Sequence, residues 1–127
     1  MTTPKIPELC DGEINDFVLG LVESARQNIP PDVHCRRREI CDAILACNSE
    51  VGERSKMKDG MTAILKSWNA SPGQVRKLER LGFRITTGKT HWKMRWGDSA
   101  YYATLGATPS DRHAGTNAAR NAVAAFF

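Results

Sequence analysis

Apolar residues recur at helical spacing from residue 14 to residue 81, and then at every second position. Ile14, Phe17, Val18, Leu21, Val22 and Ala25 stand at i, i+3, i+4, i+7, i+8 and i+11, the series of an amphipathic helix. Asp11 is placed to cap it, with Glu13 and Asp16 near its positive end. Asn28-Ile29-Pro30-Pro31 ends it, because proline cannot donate and disfavours helical geometry in the residue before it. A second helix follows a cap at Asp32, with Ile40, Ile44, Cys47 and Val51 in one stripe beside Cys41 and Leu45. Met57, Met61, Ile64, Leu65 and Trp68 carry a third helix over about 53–68. Gly60 costs that helix ~1 kcal/mol relative to Ala. Ser71-Pro72 reads as a cap followed by proline at the first helical position. The short helix that follows turns Val75, Leu78 and Leu81 inward, and Gly82 stops it.

From Phe83 onward the period is two, which predicts strands with one buried and one wet face. Phe83 and Ile85 alternate with Arg84 and Thr86. After a turn around Thr87-Gly88-Lys89, Trp92, Met94 and Trp96 alternate with His91, Lys93 and Arg95. Gly97-Asp98 marks a tight turn into a third strand over 100–105, where Tyr101, Ala103 and Leu105 oppose Tyr102 and Thr104. Thr108-Pro109-Ser110-Asp111 opens a last helix, with Thr108 as cap and Asp111 reaching back to it. Ala114, Ala118, Ala122 and Ala125, with Val123 and Phe126, form its packing face. The fold class is therefore α+β. A helical region of about three helices (1–70) precedes an α-β-β-β-α domain (71–127) with a three-stranded antiparallel sheet, whose apolar face the two flanking helices cover.

Charge sharpens this division. The 127-residue chain has a formal net charge of +4, but residues 1–70 hold nine Lys/Arg against eleven Asp/Glu, and residues 71–127 nine against three, or +6. A basic C-terminal half points to a polyanionic partner. No apolar run approaches the ~20 residues of a membrane-spanning helix, and MTTPKIPELCDGE lacks the apolar core of a signal peptide. We expect a cytoplasmic protein that does not engage a membrane. Cys10, Cys35, Cys41 and Cys47 are then reduced and serve as small hydrophobes. Steps of six turn a helix by about 240°, so Cys35, Cys41 and Cys47 point in different directions. With no C-x-x-C pair, His34 beside Cys35 does not make a zinc site, and we expect neither metal nor cofactor. Gly88-Lys89-Thr90 ends like a phosphate-binding loop but lacks its upstream glycine.

The candidate chemistry lies on the wet face of the sheet. Arg84, His91, Lys93, Arg95 and Tyr102 share it, with Thr86 and Thr104. Lys89 precedes it in the turn, and Arg112 stands at the start of the last helix. Cations there can hold phosphates, and Tyr102 can stack on a base. The element order is that of double-stranded-RNA-binding domains. More narrowly, Leu81-Gly82-Phe83, Thr87-Gly88-Lys89-Thr90-His91-Trp92-Lys93 and Thr108-Pro109-Ser110-Asp111 resemble the HicA-like toxin family and related small phage or mobile-element proteins. That resemblance implies an RNA ligand, and in its stronger form a ribonuclease that cuts mRNA with a single histidine, here His91. The imidazole would take the 2′-hydroxyl proton or protonate the leaving oxygen, while Lys89, Lys93 and Arg95 hold the phosphate.

A third reading gives the acidic helical half a protein partner, or a second copy of itself, in a phage or mobile-element factor acting on a host complex. Exposed apolar surface on Ile14–Ala25 or Met57–Trp68 would favour it. Arg36-Arg37-Arg38 is either a solvated first turn or a contact for phosphate or an acidic partner.

Overall fold

The computed structural model describes residues 4–107 and 114–127. The architecture is α+β, with helices α1 (Glu13–Gln27), α2 (Arg36–Cys47), α3 (Glu53–Lys66) and α4 (Pro72–Arg80), strands β1 (Phe83–Thr86), β2 (His91–Trp96) and β3 (Ala103–Gly106), and helix α5 (Ala114–Phe126). Contacts divide the chain into two compact units, Met1–Arg54 and Ser55–Phe127. Among the described residues no helix is long and apolar enough to cross a membrane.

In the first unit α1 and α2 form an antiparallel hairpin. Arg26 near the end of α1 pairs with Asp42 of α2, and at the opposite end the Asn15 amide donates to the Ser49 carbonyl at 3.1 Å. Asp16 is buried and accepts the backbone N–H groups of Val51 (2.8 Å) and Gly52 (2.9 Å). It therefore pins the segment after α2 instead of merely facing the helix terminus. The expected caps are not used. Gly12 stands at the cap of α1 in place of Asp11, without a side-chain bond. Glu8 accepts from the Gly12 N–H, and Glu13 from the Leu9 N–H. Extended Cys35 precedes α2 in place of Asp32. The helix starts late because Val33 N–H closes a turn onto the Pro30 carbonyl, and Arg38 donates to the carbonyls of both residues.

The α1 stripe also meets a different environment from the usual core face. Leu19 is buried, while Phe17 and Leu21 are 47% and 55% exposed. In α2, Cys41 is buried but Ile40 and Cys47 are exposed. Thus Cys47 is not the buried small hydrophobe its spacing suggests. The four thiols are free, and the described residues contain no group of three or more His, Cys, Asp or Glu that could hold a metal.

The second unit has the larger core. Met61, Leu65, Leu78, Met94 and Leu105 are fully buried, from α3, α4, β2 and β3. Ser71 caps α4 through its hydroxyl, which accepts the Gln74 N–H, and Pro72 follows as expected. The strands run β1-β2-β3 and both pairs are antiparallel. Their register places Phe83 opposite Trp96, Ile85 opposite Met94, Trp92 opposite Leu105 and Met94 opposite Ala103, all on the apolar face. The segment leaving α3 joins this cover. Trp68 donates its indole N–H to the Gly106 carbonyl at 2.8 Å and meets Trp92 edge-on at 6.0 Å. α5 lies close enough to α3 that a Cβ on Gly115 would run into the Lys66 carbonyl. β3 is shorter than its alternation predicts. Ser99 N–H returns to the Trp96 carbonyl and Ser99 Oγ donates to the Tyr101 carbonyl, so residues 97–102 form a longer connection. Tyr101 is consequently half exposed and packs against Phe126 at 5.8 Å. The expected cap at Thr108-Pro109-Ser110-Asp111 lies outside the described residues.

Candidate nucleic-acid interface

The pairings that bury Phe83, Met94 and Leu105 fix the opposite face as well, because side chains alternate along each strand. Arg84 stands opposite Arg95, Thr86 opposite Lys93, Lys93 opposite Thr104, and His91 opposite Gly106. Arg84, Thr86, His91 and Lys93 are exposed, while Arg95 and Thr104 are half-buried. Tyr102 lies just before β3 and reaches the same face. Its ring takes Lys93 Nζ at 4.7 Å and Arg95 Cζ at 4.8 Å from the centroid. Contacts of this kind contribute about 0.5–1 kcal/mol each at exposed sites, and here they hold two cations over one aromatic.

The electrostatics of this face are unbalanced. Like charges directly opposite one another in a sheet repel, and Arg84 and Arg95 are such a pair. Asp98, in the turn after β2, reaches Arg84 at 3.8 Å, with the two side chains 102% and 60% exposed. An ion pair so open and so long contributes little. The cations are therefore poorly compensated within the unit, a state that bound anions would relieve.

The turn before β2 is tight. Trp92 donates its indole N–H to the Gly88 carbonyl at 3.2 Å, and Ala107 N–H extends the ladder to the Thr90 carbonyl at 3.1 Å. A Cβ on Gly88 would stand 2.6 Å from the His91 carbonyl oxygen, so glycine lets the turn close onto the strand. Lys89 is exposed in this turn, and His91 is exposed as the first residue of β2. Among the described residues no side chain hydrogen-bonds the His91 imidazole.

Of the residues singled out from sequence, the structure gathers Arg84, Lys93, Arg95 and Tyr102 on one face, puts His91 at the start of its central strand and Lys89 in the turn before it. Arg112 lies outside the described residues. One polar neighbour escaped the strand alternation. Asn121 of α5 lines a shallow hollow with Tyr102 and Thr104, floored by alanines of the same helix. Sequence periodicity carries no signal for it, since Asn121 stands one residue before Ala122 of the packing face. In unit 1, Arg38 proves structural, Arg36 pairs with Glu39 at 2.7 Å, and Arg37 is exposed. Comparison with protein-family models, curated proteins and solved structures found no match.

Proposed function

We propose that this chain binds nucleic acid, RNA in particular, on the open face of its sheet. The observation that carries the reading is the clustering of Arg84, Lys93 and Arg95 on one face, with two arginines paired directly and one weak carboxylate contact. Phosphates would occupy the positions where these cations now repel, and as they draw Lys93 or Arg95 off the Tyr102 ring a base could stack there in its place. RNA is preferred to DNA because the α-β-β-β-α order resembles that of double-stranded-RNA-binding domains. Filter binding of generic RNA and DNA across a salt series tests the proposal. Each single-strand phosphate contact adds about −0.7 to the slope of log affinity against log salt, so Arg84→Ala and Lys93→Ala should each flatten the slope by about that amount. Absence of binding at low salt, or binding indifferent to salt, would sink the idea.

A second reading, a HicA-like ribonuclease, draws on the exposure of His91 on the same face as Lys93 and Arg95, behind the tight Gly88 turn. In that reaction the 2′-oxygen bonds to phosphorus as the P–O5′ bond breaks; the imidazole takes the 2′-hydroxyl proton or gives one to the leaving 5′-oxygen, water serving for the other transfer, while Lys89, Lys93 and Arg95 offset charge on the phosphate. Binding ranks above cleavage because it needs charge and spacing alone, whereas cleavage needs one imidazole in a particular geometry. Expression should arrest growth, and His91→Ala should relieve the arrest in a folded protein. A harmless wild type that leaves RNA intact excludes this reading.

A further inference from the structure

At the edge of β3 the character of the surface changes. The hollow that Tyr102 and Thr104 share with Asn121 of α5 is completed by Ala103, Ala124 and Ala125, and no charged side chain among the described residues lines it. Tyr102 belongs to this hollow and to the cationic face at once, because its ring also meets Lys93 and Arg95. A neutral hollow thus adjoins the cations, with one aromatic ring between them.

The hollow offers hydrogen bonds of both senses. Ala107 N–H bonds the Thr90 carbonyl, and an antiparallel pair exchanges its bonds at alternate residues. Leu105 and Ala103 therefore turn their peptide groups toward β2, while Thr104 and Gly106 turn theirs to the open edge. The Trp68 indole takes the Gly106 carbonyl, which leaves Thr104 as the residue of β3 that presents both an N–H and a carbonyl there. Asn121 is exposed beside it and brings a carboxamide, again a donor and an acceptor. Among the described residues neither the Thr104 nor the Asn121 side chain has a hydrogen-bond partner. One residue of free edge is too short to add a peptide strand, which needs a row of unpaired groups.

We propose that this hollow receives an unpaired nucleobase, so that the sheet face binds single-stranded RNA in preference to duplex. The phosphates lie on Arg84, Lys93 and Arg95, the base stacks on the Tyr102 ring, and Asn121 and Thr104 bond its edge. A neutral, flat ligand with donors and acceptors on its rim, carried on a polyanion, matches a neutral polar hollow beside a cationic face. A base inside a duplex does not enter it, because its pairing edge is taken and both its faces are stacked. This inference rests on the nucleic-acid reading and narrows it to strands whose bases are free.

Filter binding of the full chain over a salt series, with three probes of equal length, tests it. They are a single-stranded RNA without self-complementarity, the same strand annealed to its complement, and a tetrahydrofuran abasic strand, which keeps the phosphates and lacks the bases. The single strand should bind about tenfold tighter than the abasic strand, and tighter than the duplex although the duplex carries twice the charge. Tyr102→Leu and Asn121→Ala should each weaken single-strand binding about fivefold or more, with the slope of log affinity against log salt retained, whereas loss of a phosphate contact would flatten it. Asn121 is exposed on a helix, where alanine is the better helix former, so that variant should keep its fold. A duplex or an abasic strand bound as tightly as the single strand overturns this inference, while salt-dependent binding of that probe leaves the nucleic-acid reading standing. A single-strand preference that survives both substitutions also overturns it, by placing the bases elsewhere. Binding of none of the probes at low salt overturns both readings together.

Discussion

Asp16 is the one charged residue buried among those described. From sequence it looks like a helix-terminus acid, yet its carboxylate holds the chain leaving α2. The Gly52 and Val51 amides keep its carboxyl below the usual carboxylate range, with smaller help from Asn15 and Arg54. A depressed folded-state pKa contributes stability above the unfolded value, and that stability is lost as pH falls through the folded value. Asp16→Asn should therefore be less stable than wild type near neutrality, and the gap should close in acid. Urea unfolding of both proteins over an acidic pH series checks this, and a gap indifferent to pH would assign the effect to shape instead of charge. Gly115 poses a different contest. Alanine is the better helix former by about 1 kcal/mol, but its Cβ would meet the Lys66 carbonyl. Overpacking of this kind costs about 1–3 kcal/mol, so Gly115→Ala should lower the melting temperature despite its propensity.

At the scale of elements, the central strand carries both halves of the proposal, burying Met94 while exposing Lys93. Arg84 opposite Arg95 makes the fold and the ligand compete for the same residues. Arg84→Thr removes a like-charge pair, forfeits a weak contact with Asp98, and introduces a good strand former. It should stabilise the protein by about 0.5 kcal/mol while weakening the proposed RNA binding, as read from the urea midpoint and filter binding on one preparation. The strand faces were legible because a period of two admits one assignment once Met94 is buried. The start of β3 was not, because Ser99 and Tyr101 form a local turn that alternation cannot register. Nor could periodicity reveal the fate of the α1 stripe. Phe17 and Leu21 have the spacing of a core face, and spacing does not specify whose core it is. The Tyr102 contacts were half legible: the face was evident, but the approach of Lys93 and Arg95 to one ring depends on the 97–102 connection.

At the scale of the whole chain, the two units carry opposite charge. The first unit has six Lys/Arg and ten Asp/Glu, or −4, and the second twelve and four, or +8. The acidic unit holds most of the exposed apolar residues, and the basic unit holds the large core and the cationic sheet face. Trp68 has one more consequence. It shares the second unit with Trp92 and Trp96, and the chain has three tryptophans in all. Intrinsic fluorescence is therefore a reporter of Ser55–Phe127 alone, while far-UV ellipticity registers the α1 and α2 helices as well. Because the hairpin has the smaller core, the ellipticity of a dilute sample should begin to fall at lower denaturant than the emission shifts, so that the two curves fail to coincide. The placement of three indoles thus gives this chain an optical signal in which one unit is visible and the other silent.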